Sequence, residues 1–555
     1  WDQALDAVAA GLRAIAAEHG PEAIAFYLSG QLLTEDYYVA NKLAKGFIGT
    51  PHVDTNSRLC MSSTVAAQRR VLGSDTVPGA YEDFDSADLI VLVGSNTAWC
   101  HPILFRRMQD NRRERGARVV VLDPRLTATA ADADMVLALK PGSDAALFAG
   151  LLVHLADRGL VDRTYVARHV AGFDEALANA REIAPDIAAV SVATGLKPAE
   201  IAAFYELWAS TPHVVTAWSQ GVNQSAQGTD KVAAILNCHL ATGRIGRPGC
   251  GPFSLTGQPN AMGGREVGGL ANMLAAHMGY GADEIDRVRR FWQAPHIARH
   301  EGLKAVQMLE AVPERGIRAM WVMATNPAVS LPNADKVRAA LAGLDLFVVS
   351  ENVLSNDTLA ARPHYILPAA AWGEKDGTVT NSERRISRQR AFLPLPSEVR
   401  PDWWIICEIA RRLGFGEAFA YTGPHQIYAE HAALSAFENG GARDFDIGAH
   451  AGLDKPAYDG LRPVQWPVPA YQPQGTARLF GDGNFFGSGR RAQMRPLAAP
   501  KLAAEIDEAF PLLLNTGRVR DHWHTMTRTG LSPRLSAHIA RSEEHTSELQ
   551  SRQVI

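Results

Sequence analysis

The stretch ADLIVLVGSNTAWCHPILFRRMQDNRRERGARVVVLDPR, residues 87–125, has the pattern of one strand–helix–strand unit. Its runs 87–93 and 117–125 are apolar and rich in β-branched residues, and both stop at small polar residues or Asp-Pro. The segment 101–116 between them has helical spacing and ends in glycine. Continuous apolar strands that alternate with amphipathic helices are typical of a parallel sheet covered on both faces.

The same pattern recurs along the chain, which predicts an α/β fold with two doubly wound parallel-sheet domains. Further strand signals lie in 23–31, 135–144, 213–218, 320–327 and 345–352. We expect a first, discontinuous domain from 1–59 and 265–470, a second from 60–264, the truncated start of a β-barrel domain over 475–540, and a non-native tail over 541–555.

The bulk composition restricts the class of protein. At 555 residues the chain is too long for one core, and its net charge of −4 gives no sign of nucleic-acid binding. The longest apolar run, 145–156, is too short to span a bilayer, so no membrane insertion is expected. The five cysteines are scattered and odd in number, which favours a reducing, cytoplasmic compartment over a disulfide framework.

Polar loops follow the predicted strands, where ligands of open parallel sheets bind. These loops are GSNTAWC (94–100), DPRLT (123–127), PGSD (141–144), SQGVNQS (219–225), ATNP (324–327) and SENVLSND (350–357). Any strand–helix loop needs turn formers, but six such loops suggest two large nucleotide-like ligands. No G-x-G-x-x-G motif follows these strands, so an ordinary nicotinamide site is not expected.

Two later stretches and one cysteine carry further signals. The glycine-rich stretch 241–271 is expected to wrap a ligand rather than form a helix, a strand or a linker, because Gln258, Asn260, Arg265 and Glu266 are embedded in it. The stretch 515–530 combines arginines with hydroxyls and suits phosphate contact, and its H-x-H pair lacks a nearby third ligand for zinc. Cys60, in TNSRLCMSS (55–63), has no CxxC partner, and a lone cysteine is most often a small buried hydrophobe.

Over about residues 1–540, the chain resembles the molybdenum-containing catalytic subunits of assimilatory nitrate reductases, within the dimethyl sulfoxide reductase superfamily. The stretches that carry the resemblance are TNSRLCMSS (55–63), GSNTAWCHPILF (94–105), GRPGCGPFSLTGQPNAMGGREVGGLA (246–271), AAWGEKDGTVTNSERR (370–385) and NTGRVRDHWHTMTRTG (515–530). The part TGQPNAMGGREVGG (256–269) is the most specific to nitrate reductases.

The resemblance implies that Cys60 is the thiolate ligand of molybdenum, at a site where the two α/β domains each hold one molybdopterin guanine dinucleotide. A soft thiolate suits a metal that already carries dithiolene sulfurs, and a helix expected from near Ser62 would favour the thiolate. The resemblance places Arg265 in the substrate funnel for nitrate, with Gln258 orienting it or bonding the substrate and Met61 forming an apolar wall.

The resemblance also implies the cofactor-binding residues. One dinucleotide is expected to contact Gly94, Ser95, Asn96, Asp123, Pro124, Arg125, Thr127, Gly142, Ser143 and Asp144. Contacts of the other resemble Asn326, Ser350, Glu351, Lys375 and Asp402, and Asn56 is also assigned to the cofactor. Residues expected to approach the pterins from the last domain are Thr516, Gly517, Arg518, His522, Trp523, His524 and Thr525.

The chain also departs from the family pattern. Such enzymes begin with a cysteine-rich segment that binds a 4Fe-4S cluster, and this segment is absent from the sequence, as is the later part of the barrel. We therefore expect a fragment of an enzyme that receives electrons from ferredoxin, flavodoxin or an NADH-dependent reductase subunit.

The expected activity is molybdenum-dependent reduction of nitrate to nitrite by oxygen-atom transfer. One alternative is formate dehydrogenase or another molybdopterin oxidoreductase; formate dehydrogenases typically follow the metal ligand with histidine, where this chain has Met61. A second alternative is a structural subunit that has lost the cofactor, like the related large subunit of respiratory complex I. The presence of Cys60 and of nearly every strand-end loop argues against that alternative.

Overall fold

The structure, a computed structural model, describes residues 1–499, 506–512, 515 and 517–538. The chain divides into two compact units. The first unit contains Trp1–Leu59 and Gln258–Thr476, and the second contains Cys60–Gly257 with the described residues from Ala477 onward.

The strands of the described residues are β1 (Ile24–Leu28), β2 (Val53–Thr55), β3 (Leu89–Val93), β4 (Arg118–Leu122), β5 (Met135–Leu137), β6 (Val170–Ala171), β7 (Val214–Trp218), β8 (Gly251–Ser254), β9 (Ala319–Met323), β10 (Leu346–Glu351), β11 (Tyr365–Pro368), β12 (Gly377–Thr380), β13 (Arg385–Gln389), β14 (Val464–Gln465) and β15 (Ala492–Gln493).

The α-helices are α1 (Asp2–His19), α2 (Thr34–Asn41), α3 (Ser57–Leu72), α4 (Glu82–Ser86), α5 (Thr97–Cys100), α6 (Pro102–Arg115), α7 (Asp144–Asp157), α8 (Arg163–His169), α9 (Phe173–Ile183), α10 (Ile187–Thr194), α11 (Pro198–Ser210), α12 (Gln220–Asn223), α13 (Gly228–Ala241), α14 (Ala261–Glu266), α15 (Ala282–Trp292), α16 (Ala305–Glu310), α17 (Pro327–Ser330), α18 (Ala334–Ala342), α19 (Asp357–Ala360), α20 (Asp402–Ala410), α21 (Pro424–Ala436), α22 (Lys455–Asp459) and α23 (Pro533–Ser536). Short 3₁₀ turns cover Pro21–Ala23, Trp372–Glu374, Gly416–Phe419, Gly448–His450, Ser488–Arg490 and Thr529–Leu531, and π-helical turns cover Lys42–Ile48 and Arg411–Phe415.

The first unit contains a parallel five-stranded sheet in the order β11-β10-β9-β1-β2. Its central strands β1, β9 and β10 are buried along their whole length, as the continuous apolar runs predict. Their side chains and those of helices α16 and α18 form one apolar core. This core includes Met308, Leu341 and Phe347. The strand order reverses direction between β1 and β9, so the loops after these two strands flank the ligand-binding crevice expected of such sheets.

The second unit repeats this architecture with a parallel sheet in the order β5-β4-β3-β7-β8. Its strand order reverses between β3 and β7. The strand–helix–strand unit of residues 87–125 is therefore present as β3, α6 and β4, and the prediction of parallel-sheet α/β domains is confirmed. Residues 170–171 and 492–493 form a further short parallel pair, β6 with β15.

Two local predictions were wrong. The glycine-rich stretch 241–271 was not expected to form a strand or helix, yet it contains β8 and α14. The helix expected from near Ser62 begins at Ser57, so the polar stretch before Cys60 already belongs to its first turn. A small antiparallel sheet, β12-β13-β14, belongs to the first unit. The β-barrel over 475–540 stays a prediction, and the tail 541–555 lies outside the described residues.

Within the part of the chain that the structure describes, no single helix is long and apolar enough to cross a membrane. The helices α10 and α11, which are bent by 113° relative to each other, are together long and apolar enough by length and composition alone.

The first unit contains a buried carboxylate, Glu266, that is bonded to strand β12. Glu266, at the end of α14, accepts hydrogen bonds from the Thr380 hydroxyl at 2.8 Å and from the Trp466 indole N–H. Burial raises the pKa of Glu266 from 4.5 to about 7, although both hydrogen bonds and the neighbouring His277 and Arg265 oppose the rise. The folded chain therefore favours the protonated form of Glu266 more than the unfolded chain does.

We expect Glu266→Gln to change how the free energy of unfolding depends on pH. Because the folded-state pKa is raised, the contribution of Glu266 is fully present below pH 4.5 and is lost as the pH rises through about 7. The loss amounts to on the order of 3 kcal/mol, at about 1.36 kcal/mol per pH unit. Glutamine can keep both hydrogen bonds, with the Thr380 hydroxyl as acceptor, so the variant should be more stable than the wild type at pH 8 and similar at pH 4.

Urea unfolding from pH 4 to pH 8 measures this difference. Glu310→Gln, at the exposed end of α16, is the matched control and should follow the wild-type curve. Parallel curves for the wild type and Glu266→Gln would show that Glu266 is not protonated by burial.

Candidate active site

Cys60 lies in the first turn of α3, which begins at Ser57. Its side chain is buried, with 5% of its surface exposed. The first turn of a helix carries partial positive charge from unpaired backbone N–H groups, and this charge favours a thiolate. The position is therefore suitable for an anionic sulfur, as predicted, but within the helix rather than before it.

One face of α3 is joined to the loop after β7. Cys60, Ser63 and Thr64 are spaced i, i+3 and i+4, so they lie on the same side of the helix. The Gln220 amide Nε2 donates to the Cys60 Sγ at 2.8 Å. The Ser63 hydroxyl donates to the Asn223 carbonyl at 2.8 Å. This loop thus contacts the helix at the level of the cysteine and one turn beyond it.

Thr64 is the centre of this connection. Its backbone N–H and its hydroxyl both donate to the Asn223 Oδ1, at 3.1 Å and 2.6 Å. The same hydroxyl accepts the indole N–H of Trp218, the last residue of β7, at 2.9 Å. The Asn223 Nδ2 donates to the Ser219 carbonyl at 3.0 Å, so the loop is also braced internally. We call the bonds of Trp218 and Asn223 with Ser63 and Thr64, together with the brace from Asn223 to Ser219, the helix clamp.

The crevice of the second unit depends on two glycines. Gly94 follows β3 with a φ of 52°, and Gly221 follows β7. The Gly221 N–H donates to the Gly94 carbonyl at 3.0 Å, and a Cβ at Gly94 would lie 2.7 Å from the Gly221 Cα. Only glycine allows this approach, which brings the two strand-end loops together at the reversal of strand order.

Other predicted residues of the second unit also lie in strand-end loops. The Asp123 carboxylate accepts the Arg125 backbone N–H at 2.9 Å, and Asp144 forms a buried ion pair with Lys231 at 2.6 Å. Further contacts in these loops are Ser95 with Thr97, Asn96 with Thr129, and Ser143 with the Lys140 carbonyl. The Thr127 hydroxyl is buried and has no hydrogen-bond partner among the described residues.

In the first unit, the side-chain amides of Asn56, Gln31 and Gln258 lie close together in the strand-end loops. The Asn56 Nδ2 lies 3.3 Å from oxygens of Ser29, Gln31 and Thr325, the last of which follows β9. Gln258 donates to the Asn56 Oδ1 at 2.9 Å and accepts the Ser57 hydroxyl at 2.7 Å. Gln258 therefore holds the segment after β2, and Asn56 connects this segment to the loop after β1, a role that the sequence did not indicate for Gln258.

Lys375 and Asp402 form a buried charge cluster with Asp36 in the first unit. The ammonium contacts Asp402 closely and lies 3.4 Å from Asp36. Burial raises the pKa of Asp402 to about 6, although the Lys375 ammonium opposes the rise. Burial by itself would lower the pKa of Lys375, but the two carboxylates outweigh this effect and raise it. The Asp402 Oδ1 is buried without a hydrogen-bond partner in the described part of the chain, so it can accept a donor from a ligand.

Three other predicted residues of the first unit have structural bonds. The Asn326 Oδ1 accepts the Thr358 hydroxyl at 2.7 Å, and the Ser350 hydroxyl accepts the Trp321 indole N–H at 2.9 Å. The Glu351 carboxylate accepts the Asn352 backbone N–H at 2.8 Å.

Arg265 and Met61 are both buried. Arg265 lies in the last turn of α14 with 3% of its surface exposed, and its Nη2 is 3.2 Å from the Met262 sulfur. Met61 follows Cys60 on α3 in the second unit, and its sulfur is 3.9 Å from the Gln220 amide nitrogen.

The described residues of the last predicted group belong to the second unit. The Arg518 guanidinium lies 5.0 Å from the centre of the Trp523 ring, and burial together with Arg518 lowers the pKa of His524. Both His522 ring nitrogens are used within this segment, by the Thr529 hydroxyl and the Leu535 carbonyl. Other contacts are Gly517 against the Arg125 guanidinium and Thr525 with Thr527, and Thr516 lies outside the described residues.

Comparison with known proteins shows the family of this chain. The molybdopterin oxidoreductase model matches residues 1–412, so the chain belongs to the molybdopterin oxidoreductase family. It is 51% identical to a nitrate reductase of Klebsiella oxytoca, over 97% of this chain and 61% of the relative, and 48% identical to one of Shewanella frigidimarina, over 98% and 58%. The chain thus spans about three fifths of the length of these relatives.

The structure of acetylene hydratase from Pelobacter acetylenicus shares the fold, with a TM-score of 0.68 at 18% identity, over 89% of this chain and 66% of that one. Membership of the family implies a molybdenum–molybdopterin cofactor.

The residues present fit such a cofactor. Cys60 supplies a soft sulfur donor in a positive helix turn. The Gly94–Gly221 approach leaves backbone at the crevice, where it can meet phosphates. The buried Thr127 hydroxyl and Asp402 Oδ1, one in each unit, can pair with hydroxyl or N–H donors of a bound cofactor.

Sequence reasoning missed the residues that hold Cys60 in place. Gln220, Asn223 and Thr64 were visible only as members of a polar loop and of a helix. The spacing of Cys60, Ser63 and Thr64 is a helical-face signal that could have been used, provided that the helix start had been placed at Ser57.

We expect Thr64→Val to weaken the helix clamp. Valine has nearly the same shape but leaves the Trp218 indole N–H without its threonine acceptor and removes one donor to Asn223. An unsatisfied buried donor costs about 1–3 kcal/mol, so the free energy of unfolding should fall by that amount. Thr229→Val, in the first turn of α13, is the matched control. Urea unfolding and amide hydrogen exchange over 218–223 measure the effect, and equal losses in the two variants would contradict it.

Proposed function

We propose that the full-length protein reduces nitrate to nitrite at a molybdenum ion bound by Cys60. The observation that carries the proposal is the buried Cys60 sulfur in the first turn of α3, facing an amide donor from the strand-end loop after β7. Two relatives that match nearly the whole chain, at 51% and 48% identity, are both named nitrate reductase, which supports nitrate as the substrate.

The reaction requires a source of electrons and a site for an anion. Nitrate accepts two electrons and two protons, one nitrogen–oxygen bond breaks, and nitrite and water leave. Molybdenum with its dithiolene-bearing pterins supplies the two-electron redox chemistry when it is bound. The chain's own residues must hold the metal, bind the anion and exclude bulk water.

Arg265 is the residue proposed to bind nitrate. Moving an anion out of water is unfavourable without a positive partner, and a guanidinium is permanently charged. Its planar, paired donors match two oxygens of a planar oxyanion. The burial of Arg265 in α14, with 3% of its surface exposed, supports a charge that is fixed in place. Gln258 supports this site indirectly, since it holds Asn56 and Ser57.

The finer details of the proposal follow the family resemblance. The pterins are proposed to be guanine dinucleotides, one in each unit, and the buried Asp402 Oδ1 suits the N–H edge of a guanine. A 4Fe-4S cluster in the longer protein would pass electrons from ferredoxin, flavodoxin or a reductase subunit. We further propose an assimilatory role in the cytoplasm.

We expect Cys60→Ser to abolish or severely reduce nitrate reduction while the fold is kept. A neutral hydroxyl is a poorer ligand than a thiolate for a soft metal centre. The measurements are molybdenum content and nitrite formation by the purified full-length protein, made in a host that synthesises the cofactor. Wild-type protein should contain about one molybdenum per chain.

The matched control is Cys250→Ser, because Cys250 is also 5% exposed and lies in the second unit. It should keep most of the activity. If Cys60→Ser keeps most of its turnover, Cys60 is a packing residue. If the wild type oxidises formate but does not reduce nitrate, the formate dehydrogenase alternative is favoured.

We expect Arg265→Lys to raise the KM for nitrate and to lower kcat/KM by roughly tenfold, equivalent to about 1.4 kcal/mol. Lysine keeps the charge but loses the paired donors. Arg265→Ala should lower kcat/KM further, with unchanged molybdenum content. Steady-state kinetics normalised to bound molybdenum measure both effects.

Arg244→Lys is the control for loss of a buried arginine, since Arg244 donates to the Trp208 and Thr211 carbonyls. It should reduce stability without raising the KM per molybdenum. If Arg265→Ala loses molybdenum in proportion to its activity, Arg265 holds the cofactor and not the substrate.

A further inference from the structure

We propose that Gln220 is a positioning residue that orients the Cys60 sulfur and raises the reduction potential of the metal bound there. The inference rests on the proposed function, because it requires Cys60 to be a metal ligand. It concerns one specific hydrogen bond, from the Gln220 Nε2 to the Cys60 Sγ at 2.8 Å.

The orientation of the Gln220 amide is determined by its neighbours. The buried Ser219 hydroxyl donates to the Gln220 Oε1, so the oxygen of the amide is already used. The nitrogen therefore points to the sulfur. A flipped amide would direct its oxygen at an anionic sulfur, which has only lone pairs to offer, and this arrangement is repulsive.

The backbone at Gln220 is held as firmly as its side chain. Gln220 is the first residue of α12, and its neighbour Gly221 donates to the Gly94 carbonyl at 3.0 Å. The Asn223 side chain, three residues after Gln220, bonds to both Ser219 and Thr64. The helix clamp thus connects the donor of the N–H···S bond to the helix that carries Cys60, and the side chain can keep its place without a ligand.

A hydrogen bond to a thiolate withdraws electron density from the sulfur. The sulfur then donates less charge to a metal, which stabilises the reduced state and raises the reduction potential. Partners of metal ligands commonly tune sites in this way. A side chain that only fills space at position 220 would need no N–H. The other neighbour of the Gln220 amide nitrogen is the Met61 sulfur, 3.9 Å away, and an apolar side chain of the same length could pack against it equally well.

The test compares the full-length, molybdenum-loaded wild type with Gln220→Met, which keeps the length of the side chain but removes the N–H donor. Redox titration followed by electron paramagnetic resonance of the Mo(V) signal measures the midpoint potentials and the spectrum. We expect the potential to fall by the equivalent of about tenfold in the equilibrium constant, or about 59 mV for a one-electron couple, and the Mo(V) spectrum to shift.

Two further variants make the result specific. Ser219→Ala frees the amide to rotate and should shift the potential in the same direction by a smaller amount. Gln227→Met is the matched control, because Gln227 has the same side chain in the same unit but donates to the Ala499 carbonyl. It should leave the potential and the spectrum unchanged.

Each outcome decides the proposal. Lower potentials in Gln220→Met and Ser219→Ala with retained molybdenum support it. An unchanged potential and spectrum in Gln220→Met overturns it, and so does loss of molybdenum from both variants, which would make Gln220 a residue needed only for cofactor insertion. A wild-type protein without molybdenum would instead refute the proposed function, before Gln220 is tested.

Discussion

The helix clamp between α3 and the loop after β7 is the constraint on which the candidate site depends. Thr64 acts as donor to Asn223 and acceptor for Trp218 through one hydroxyl, so strand, loop and helix share a single buried polar junction. Such a junction is rigid because any displacement leaves a buried donor unpaired, at a cost of about 1–3 kcal/mol. Cys60 lies one turn before this junction, and its position follows from it.

The first unit buries its ionisable groups in a different arrangement. Glu35 accepts hydrogen bonds from the Thr378 backbone N–H at 2.8 Å and from the Tyr458 hydroxyl at 2.6 Å, and Glu266 is held by the same strand, β12. Burial raises the pKa of both carboxyl groups to about 7. Lys375, in contrast, keeps its charge because two carboxylates surround it. Polar groups near the glycine-rich stretch are thus buried with partners, which fits a precise site and not a flexible linker.

The fold and the chemistry come from different parts of the molecule. A structure only 18% identical, that of acetylene hydratase, shares the fold, so the two parallel-sheet units do not by themselves define a reaction. The proposed specificity depends on a few side chains placed on this scaffold. Cys60 lies in the first turn of α3, and Gln220 lies in the strand-end loop after β7 that contacts it.

The sequence by itself determined the parallel α/β units, because strands buried on both faces must be continuous apolar runs, as in 87–93 and 117–122. It also singled out Cys60 and the strand-end loops, since these residues form recognisable local motifs. It misplaced the start of α3 and missed β8 and α14, because glycine content and helix signals are weak guides where tertiary contacts decide. Only the tertiary structure decided that Gln220 faces Cys60 and that Gln258 holds Asn56, because these residues are 160 and 202 positions apart and meet only when strand pairing brings their loops together.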